Sequence, residues 1–214
     1  GFVPMKKLLS ATLAVALVFG VSGAMAQSMN VSANLPGGIP GSALDVPANI
    51  QFQVNVTLDA AGEGSSAAEF VLTELLLINP GIFKLSTVKI NNTPLDLGDN
   101  SVGEYVMAFG GCEAGGAPIN MVVLTYGTFG GVPPTDTVLE LRGLQPGDSV
   151  ESTFGGELGF IDCADNGYPV QMGGTDGGIT GSGVVFPDGS CVLNPTPIAV
   201  PTVDGSVGQL KAQF

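Results

Sequence analysis

Residues 50–58 alternate apolar and polar side chains without a break: Ile, Gln, Phe, Gln, Val, Asn, Val, Thr, Leu. A period of two puts one set on each face of an extended chain, so this stretch predicts a half-buried β-strand. Small and polar residues over 59–66 predict a turn. Residues 68–78 carry Phe70, Leu72, Leu75, Leu76, Leu77 and Ile78 and predict a second strand, ending at the turn Asn79-Pro80-Gly81. Leu72, Leu75 and Leu76 also fit helical spacing, but no cap precedes them and a proline follows. Residues 83–90 alternate again, and 91–98 turn. Residues 103–109 predict a strand ending at Gly110-Gly111-Cys112. Residues 119–126 are nearly all apolar, the mark of a central strand buried on both faces. After a break at 130–134, residues 137–141 alternate. Gln145-Pro146-Gly147-Asp148 is a turn by its chemistry, since proline presets φ and glycine permits the reversal. Residues 149–154 and 158–162 predict two more short strands.

The rest of the pattern is weaker. Residues 167–190 are glycine-rich without a clear period and predict a long loop with one strand at 183–186. Residues 194–201 are spaced by prolines, as in an extended linker, and Ser206 is placed to cap a last short helix ending at Phe214. Short strands separated by turn signals predict an all-β fold, an antiparallel β-sandwich over residues 27–193, rather than βαβ units. Residues 194–214 are expected to form a linker and tail.

The amino-terminal pattern is of another kind. Met5-Lys6-Lys7 precedes an apolar run over 8–21, then Ala24-x-Ala26 before Gln27. A basic start, an apolar middle and a small-residue cleavage site describe a secretory signal peptide. The run is about 14 residues, against the roughly 20 that span a bilayer. Residues 1–26 are therefore expected to be an upstream extension and a cleavable signal. The working chain is expected outside the cytoplasm, secreted or at the cell surface, with no membrane span after cleavage.

Charge narrows the partners. The chain holds 19 Asp and Glu against 6 Lys and Arg, a formal net charge of −13, and two of those lysines sit in the signal segment. Such a surface is soluble, favours a monomer, and repels nucleic-acid phosphates and anionic membranes. There is no histidine. That removes the commonest general base and, with only three cysteines and no C-x-x-C pair, the ordinary zinc ligand sets. No serine lies in a G-x-S-x-G elbow. A carboxylate pair from Glu104, Glu113, Asp136, Glu140, Glu151, Glu157, Asp162 and Asp165 would serve a glycan hydrolase. The chain has no tryptophan for sugar stacking, and only Tyr105, Tyr126 and Tyr168 could substitute. Acidic residues on β-proteins are ordinarily solvated surface, so a non-enzymatic role is the expectation.

Asp162-Cys163-Ala164-Asp165-Asn166-Gly167 partly matches a calcium loop, but Ala164 and Gly173 stand at ligand positions, which rejects an EF-hand. A looser calcium site on Asp162, Asp165, Asn166 or Asp176 is the one cofactor expectation; otherwise none is expected. Gly173 to Gly178 lacks the Lys-Ser/Thr of a phosphate loop. The sequons at Asn30, Asn55 and Asn91 are read as chance matches. Export makes one disulfide among Cys112, Cys163 and Cys191 plausible, leaving one thiol over. By position alone, Cys112–Cys163 and Cys163–Cys191 are both open.

Two resemblances add to this. Ala108-Phe109-Gly110-Gly111-Cys112, Val122-Val123-Leu124-Thr125-Tyr126, Asp136-Thr137 with Leu139 and Leu141, and Phe160-Ile161-Asp162-Cys163 resemble recurrent motifs in a group of secreted bacterial proteins. The resemblance covers residues 50–163 and implies the Cys112–Cys163 pairing. The tail resembles theirs at Gly208, Leu210, Lys211 and Phe214, with Val207 where they carry tryptophan, which implies a sorting signal or a docked end. Separately, Phe52, Val54 and Val56 with Ala68-Glu69-Phe70-Val71-Leu72 are similar to the opening of cohesin-like modules. Residues 76–80 match only part of the Y-D-P that usually follows there. This resemblance implies a cohesin-like jelly-roll or Ig-like sandwich that binds a protein or serves as a surface scaffold.

The combined expectation is an exported binding, adhesion or scaffold module for an extracellular protein or glycan. Its recognition loops are placed at 112–117 and 162–176, with Glu113, Asp162, Asp165, Asn166 and Asp176, because loops on a rigid sandwich carry recognition. The alternatives are the glycan hydrolase and a purely structural envelope component.

Overall fold

The computed structural model describes residues 27–79, 81–91 and 95–199. In chain order its strands begin with β1 (Ser28–Asn34), β2 (Ala43–Leu44), β3 (Gln51–Asp59) and β4 (Ser65–Leu72). One helical turn, α1 (Leu75–Ile78), precedes β5 (Phe83–Lys89), β6 (Leu95–Asp96), β7 (Glu104–Glu113) and β8 (Ile119–Gly127). Then come β9 (Thr137–Leu139), β10 (Leu141–Arg142), β11 (Leu158–Ile161) and β12 (Gly167–Met172). The last are β13 (Gly178–Ile179), β14 (Val185–Phe186) and β15 (Cys191–Leu193).

Alternation decides which side chains meet. Met29, Val31 and Ala33 of β1, the four apolar residues of β3, and Leu124 and Tyr126 of β8 are buried on one layer. Ala68, Phe70 and Leu72 of β4, Tyr105, Met107 and Phe109 of β7, and Phe160 of β11 are buried on the other. The layers are β5-β8-β3-β1-β12 and β12-β11-β4-β7-β6, with β10 added to β4. β12 belongs to both. Its residues 167–170 pair antiparallel with β11, while Gln171 and Met172 pair parallel with Ser28 and Met29. The chain is thus an all-β sandwich, antiparallel within its main layers apart from that short join. Three aromatic pairs, Phe52–Tyr126, Phe70–Tyr105 and Phe160–Tyr168, are direct cross-strand partners with ring centroids 5.5, 5.1 and 5.3 Å apart. Such pairs stabilise one register over its neighbours.

Several elements differ from the sequence pattern. The strand expected over 68–78 stops at Leu72. Glu74 caps α1, its carboxylate accepting from the Leu76 N–H at 3.2 Å. β7 runs on through Gly110, Gly111 and Cys112 to Glu113. The strand expected over 149–154 is absent. There the backbone lies across the outer face of β4 and β7, and buried carboxylates take the place of a neighbouring strand. Glu69 accepts from Ser152 Oγ at 2.6 Å and Thr153 N at 2.9 Å, and Glu104 accepts from Ser149 N at 3.0 Å. The region 167–190 holds β12 and the β13–β14 hairpin instead of one long loop. β1, absent from the expected strands, is buried along all seven residues. A small sheet, β2-β15-β9, completes the fold.

The signal segment 1–26 and the tail residues Leu210, Lys211 and Phe214 lie outside the described residues. Among the described residues no helix is long and apolar enough to cross a membrane.

Candidate functional site: three loops joined at one pole

Three turns converge at one end of the sandwich. The first, 60–64, joins β3 to β4. The second, 114–118, follows β7. The third, 162–166, joins β11 to β12. A disulfide between Cys112 and Cys163, with Cα atoms 5.3 Å apart and 51 residues apart in sequence, ties the second to the third. Glycine brings the first against the other two. A Cβ on Gly64, at φ +74°, would collide with the Glu113 carbonyl and the Cys163 sulfur, and a Cβ on Gly115 would collide with the backbone of Gly62. Only residues without side chains allow this approach.

The pole is acidic. It carries Glu63, Glu113, Asp162 and Asp165, with Tyr168 stacked on Phe160 at its edge. Asp162 is buried, and its Oδ1 accepts from Ala164 N at 2.7 Å and Asn166 N at 2.8 Å, while Oδ2 accepts from Asn166 Nδ2 at 2.9 Å. These hydrogen bonds, led by those from Asn166, hold its carboxyl below the ordinary 3.8. Asp165 takes φ 64°, the left-handed conformation that closes the turn. Asp162 therefore shapes the loop, whereas Glu63 and Asp165 are exposed and Glu113 is half-buried. Asn91 Nδ2 donates to Glu113 Oε1 at 2.8 Å. The hydrogen bond of the Tyr168 hydroxyl to Glu63, followed by burial and the charges of Glu63 and Asp162, pushes its phenol up to about 12. Glu63 and Tyr168 complete the pole; Tyr168 lies within the expected recognition stretch 162–176, whereas Glu63 lies outside both expected loops. Their sequence signal was faint, since Glu63 lies in a small-residue turn and Tyr168 beside a proline.

The other expected residues are dispersed. Asp176 is exposed beyond the far end of β12, a strand's length from Asp162, Asp165 and Asn166. The proposed recognition stretch 162–176 is thus split by β12. Cys191 is a free, buried thiol in β15, so the alternative Cys163–Cys191 bridge is not formed. Burial pushes that thiol up to about 12. Glu104 is buried and engaged by Ser149. Asp136, at φ 58°, accepts from Ser182 Oγ, Thr196 N and Thr196 Oγ1 at 2.5–2.7 Å, and these bonds hold it down to about 2. Glu140, Glu151 and Glu157 are exposed, whereas Tyr105 and Tyr126 are core residues. Among the described residues, no group of three His, Cys, Asp or Glu side chains is placed to hold a metal ion.

No protein-family model matches the chain, and no curated protein matches it. Among solved structures it is similar to a non-cellulosomal cohesin from Archaeoglobus fulgidus, at 11% identity and TM-score 0.42, covering 78% of this chain and 91% of that one. It is also similar to the sixth cohesin of scaffoldin B from Acetivibrio cellulolyticus, solved with a dockerin, at 12% identity and TM-score 0.44, covering 78% and 99%. A cohesin module of a family 33 glycoside hydrolase from Clostridium perfringens shares 8% identity at TM-score 0.35, covering 68% and 91%. Likeness at these levels assigns neither family nor partner.

Proposed function

We propose that this protein is an exported, non-enzymatic binding module that engages an extracellular protein through the acidic, disulfide-tied pole. The observation that carries the reading is the convergence of the three turns. Their shape is held by the Cys112–Cys163 bridge and by close glycine contacts. Preorganised loops spend less conformational entropy on binding. Their accessible acids, Glu63, Glu113 and Asp165, favour a partner presenting lysine or arginine, and charge steers its approach. A structural disulfide accords with an oxidising compartment. Three of the carboxylates considered for a glycan hydrolase serve other ends in the fold: Glu104 and Asp136 accept internal hydrogen bonds, and Asp162 closes its own turn.

The test is selection of displayed random 12-residue peptides on the immobilised full chain. Enriched peptides are expected to be basic and to bind a Glu113→Gln/Asp165→Asn variant at least tenfold more weakly. An enriched set in which no peptide binds that variant more weakly than the parent would remove the pole from the reading.

A further inference from the structure

At the opposite end of the sandwich lies a surface of different chemistry. β8 starts just after the disulfide-tied turn and ends two residues before Phe129, so roughly 30 Å of strand separates the two poles. Phe83, Leu85 and Phe129 are 50%, 43% and 54% exposed. They meet over a floor of bare backbone. A Cβ on Gly127 would touch both the Phe129 ring and Leu85 Cδ1, and one on Gly130 would touch the Phe83 ring. The loop after α1 is stitched to the same place. Gly130 N donates to Gly81 O at 3.2 Å, and Asn79 Nδ2 donates to the Val132 carbonyl. Three exposed apolar side chains gathered beside Gly127 and Gly130 are unlike the scattered exposed hydrophobics of an ordinary surface.

The edge strand beneath them is closed to strand addition. β5 is the end of its sheet and carries an irregularity between Lys84 and Ser86. Its two lysines turn to carboxylates, Lys84 to Glu74 at 2.6 Å and Lys89 to Asp96 at 2.7 Å. A bulge and inward charges are devices that block edge pairing. The surface therefore offers side chains, not a backbone ladder.

Charge selects the occupant. Among the described residues the cations are Lys84, Lys89 and Arg142, and each is in an ion pair with a carboxylate. The molecule as a whole carries 19 acids. A second copy would meet a like field, and so would an anionic membrane. A segment bearing basic residues around an apolar centre is drawn by the acidic field of the whole molecule and buries its apolar side chains on this surface. We infer that Phe83, Leu85 and Phe129 form a second docking surface for a protein segment whose apolar side chains are flanked by lysine or arginine. The inference rests on the reading of the chain as a binding module.

The peptide selection separates the two. A Phe83→Ser/Phe129→Ser variant changes only exposed side chains, and circular dichroism checks its fold. Ile179→Ser/Val185→Ser removes exposed apolar surface from the β13–β14 hairpin as a control. The expected result is a set of enriched peptides with Leu or Phe beside Lys or Arg. These bind the first variant at least tenfold more weakly and the control unchanged. Peptides that tolerate Phe83→Ser/Phe129→Ser but not Glu113→Gln/Asp165→Asn overturn this surface and leave the binding module intact. Self-association in the ultracentrifuge that Phe83→Ser/Phe129→Ser abolishes makes the occupant a second copy and also overturns it. No enrichment on the parent chain overturns both readings.

Discussion

Glu74 is the residue on which most local order depends. It is almost fully buried, yet its carboxylate accepts from Lys84 Nζ at 2.6 Å, Tyr126 Oη at 3.2 Å and Leu76 N at 3.2 Å. One side chain thereby joins the cap of α1, edge strand β5 and core strand β8. A buried pair is weak evidence of net stabilisation, but removing one partner strands the other charge. Lys84→Met is expected to cost about 3–5 kcal/mol in urea unfolding, because Glu74 is left without its cation. A cost below about 1 kcal/mol, the range of an exposed pair, would show that the carboxylate reaches water in solution. Tyr105 has the opposite character: its hydroxyl is buried with no hydrogen-bond partner among the described residues, and burial raises its pKa strongly.

At the scale of elements, the segment 143–157 behaves as a strap rather than a strand. Its hydrogen bonds go to two glutamates that project from the outer faces of β4 and β7. Arg142 closes one end on Asp148, with N–O distances of 2.6 and 3.0 Å. Glu69→Ala removes the acceptor for Ser152 and Thr153, at a cost of about 1.5–3 kcal/mol, the range for hydrogen bonds to a charged group. Amide exchange at Thr153 and Phe154 is expected to accelerate while β4 and β7 stay protected. Equal acceleration in β4 would mean that the strap and the sheet open together as one unit. Residues 149–154 form no strand, and their backbone and hydroxyl donors turn to Glu104 and Glu69 instead. A period-two pattern states a preference for extended backbone and leaves the choice of partner to the surroundings.

For the whole molecule, charge sets the response to pH. Hydrogen bonds lower the carboxyls of Asp136, Asp148 and Asp162 in the folded chain, Asp136 to about 2 from an ordinary 3.8. A group depressed on folding contributes stability above its unfolded pKa, and that contribution is lost as pH falls through the folded value. The melting temperature is therefore expected to hold from pH 7 to about 4 and to fall between about 4 and 2. A melting temperature that keeps rising to pH 2 would mean that relief of acidic self-repulsion outweighs these bonds.

The sequence by itself determined the class of fold and most of the strands. The alternation over 50–58, the apolar run over 119–126 and the turn at Gln145 to Asp148 are local properties, and β3, β8 and the 145–148 turn follow from them. It also supplied the acids and cysteines of the disulfide-tied pole. Tertiary structure decided what depends on neighbours. β1 alternates serine and asparagine with Met29, Val31 and Ala33, the same period of two as β3, yet its polar face is also buried, because the segment around Gly189 and Gly174 covers it. β12 is hidden by Pro169 and glycines, and only the proximity of β11 and β1 makes it a strand. Glu63, Glu113 and Asp165 share one pole, and Phe83 and Phe129 share one surface, although each set is far apart in the chain. Periodicity reports which way a side chain faces, whereas long-range packing decides what it faces.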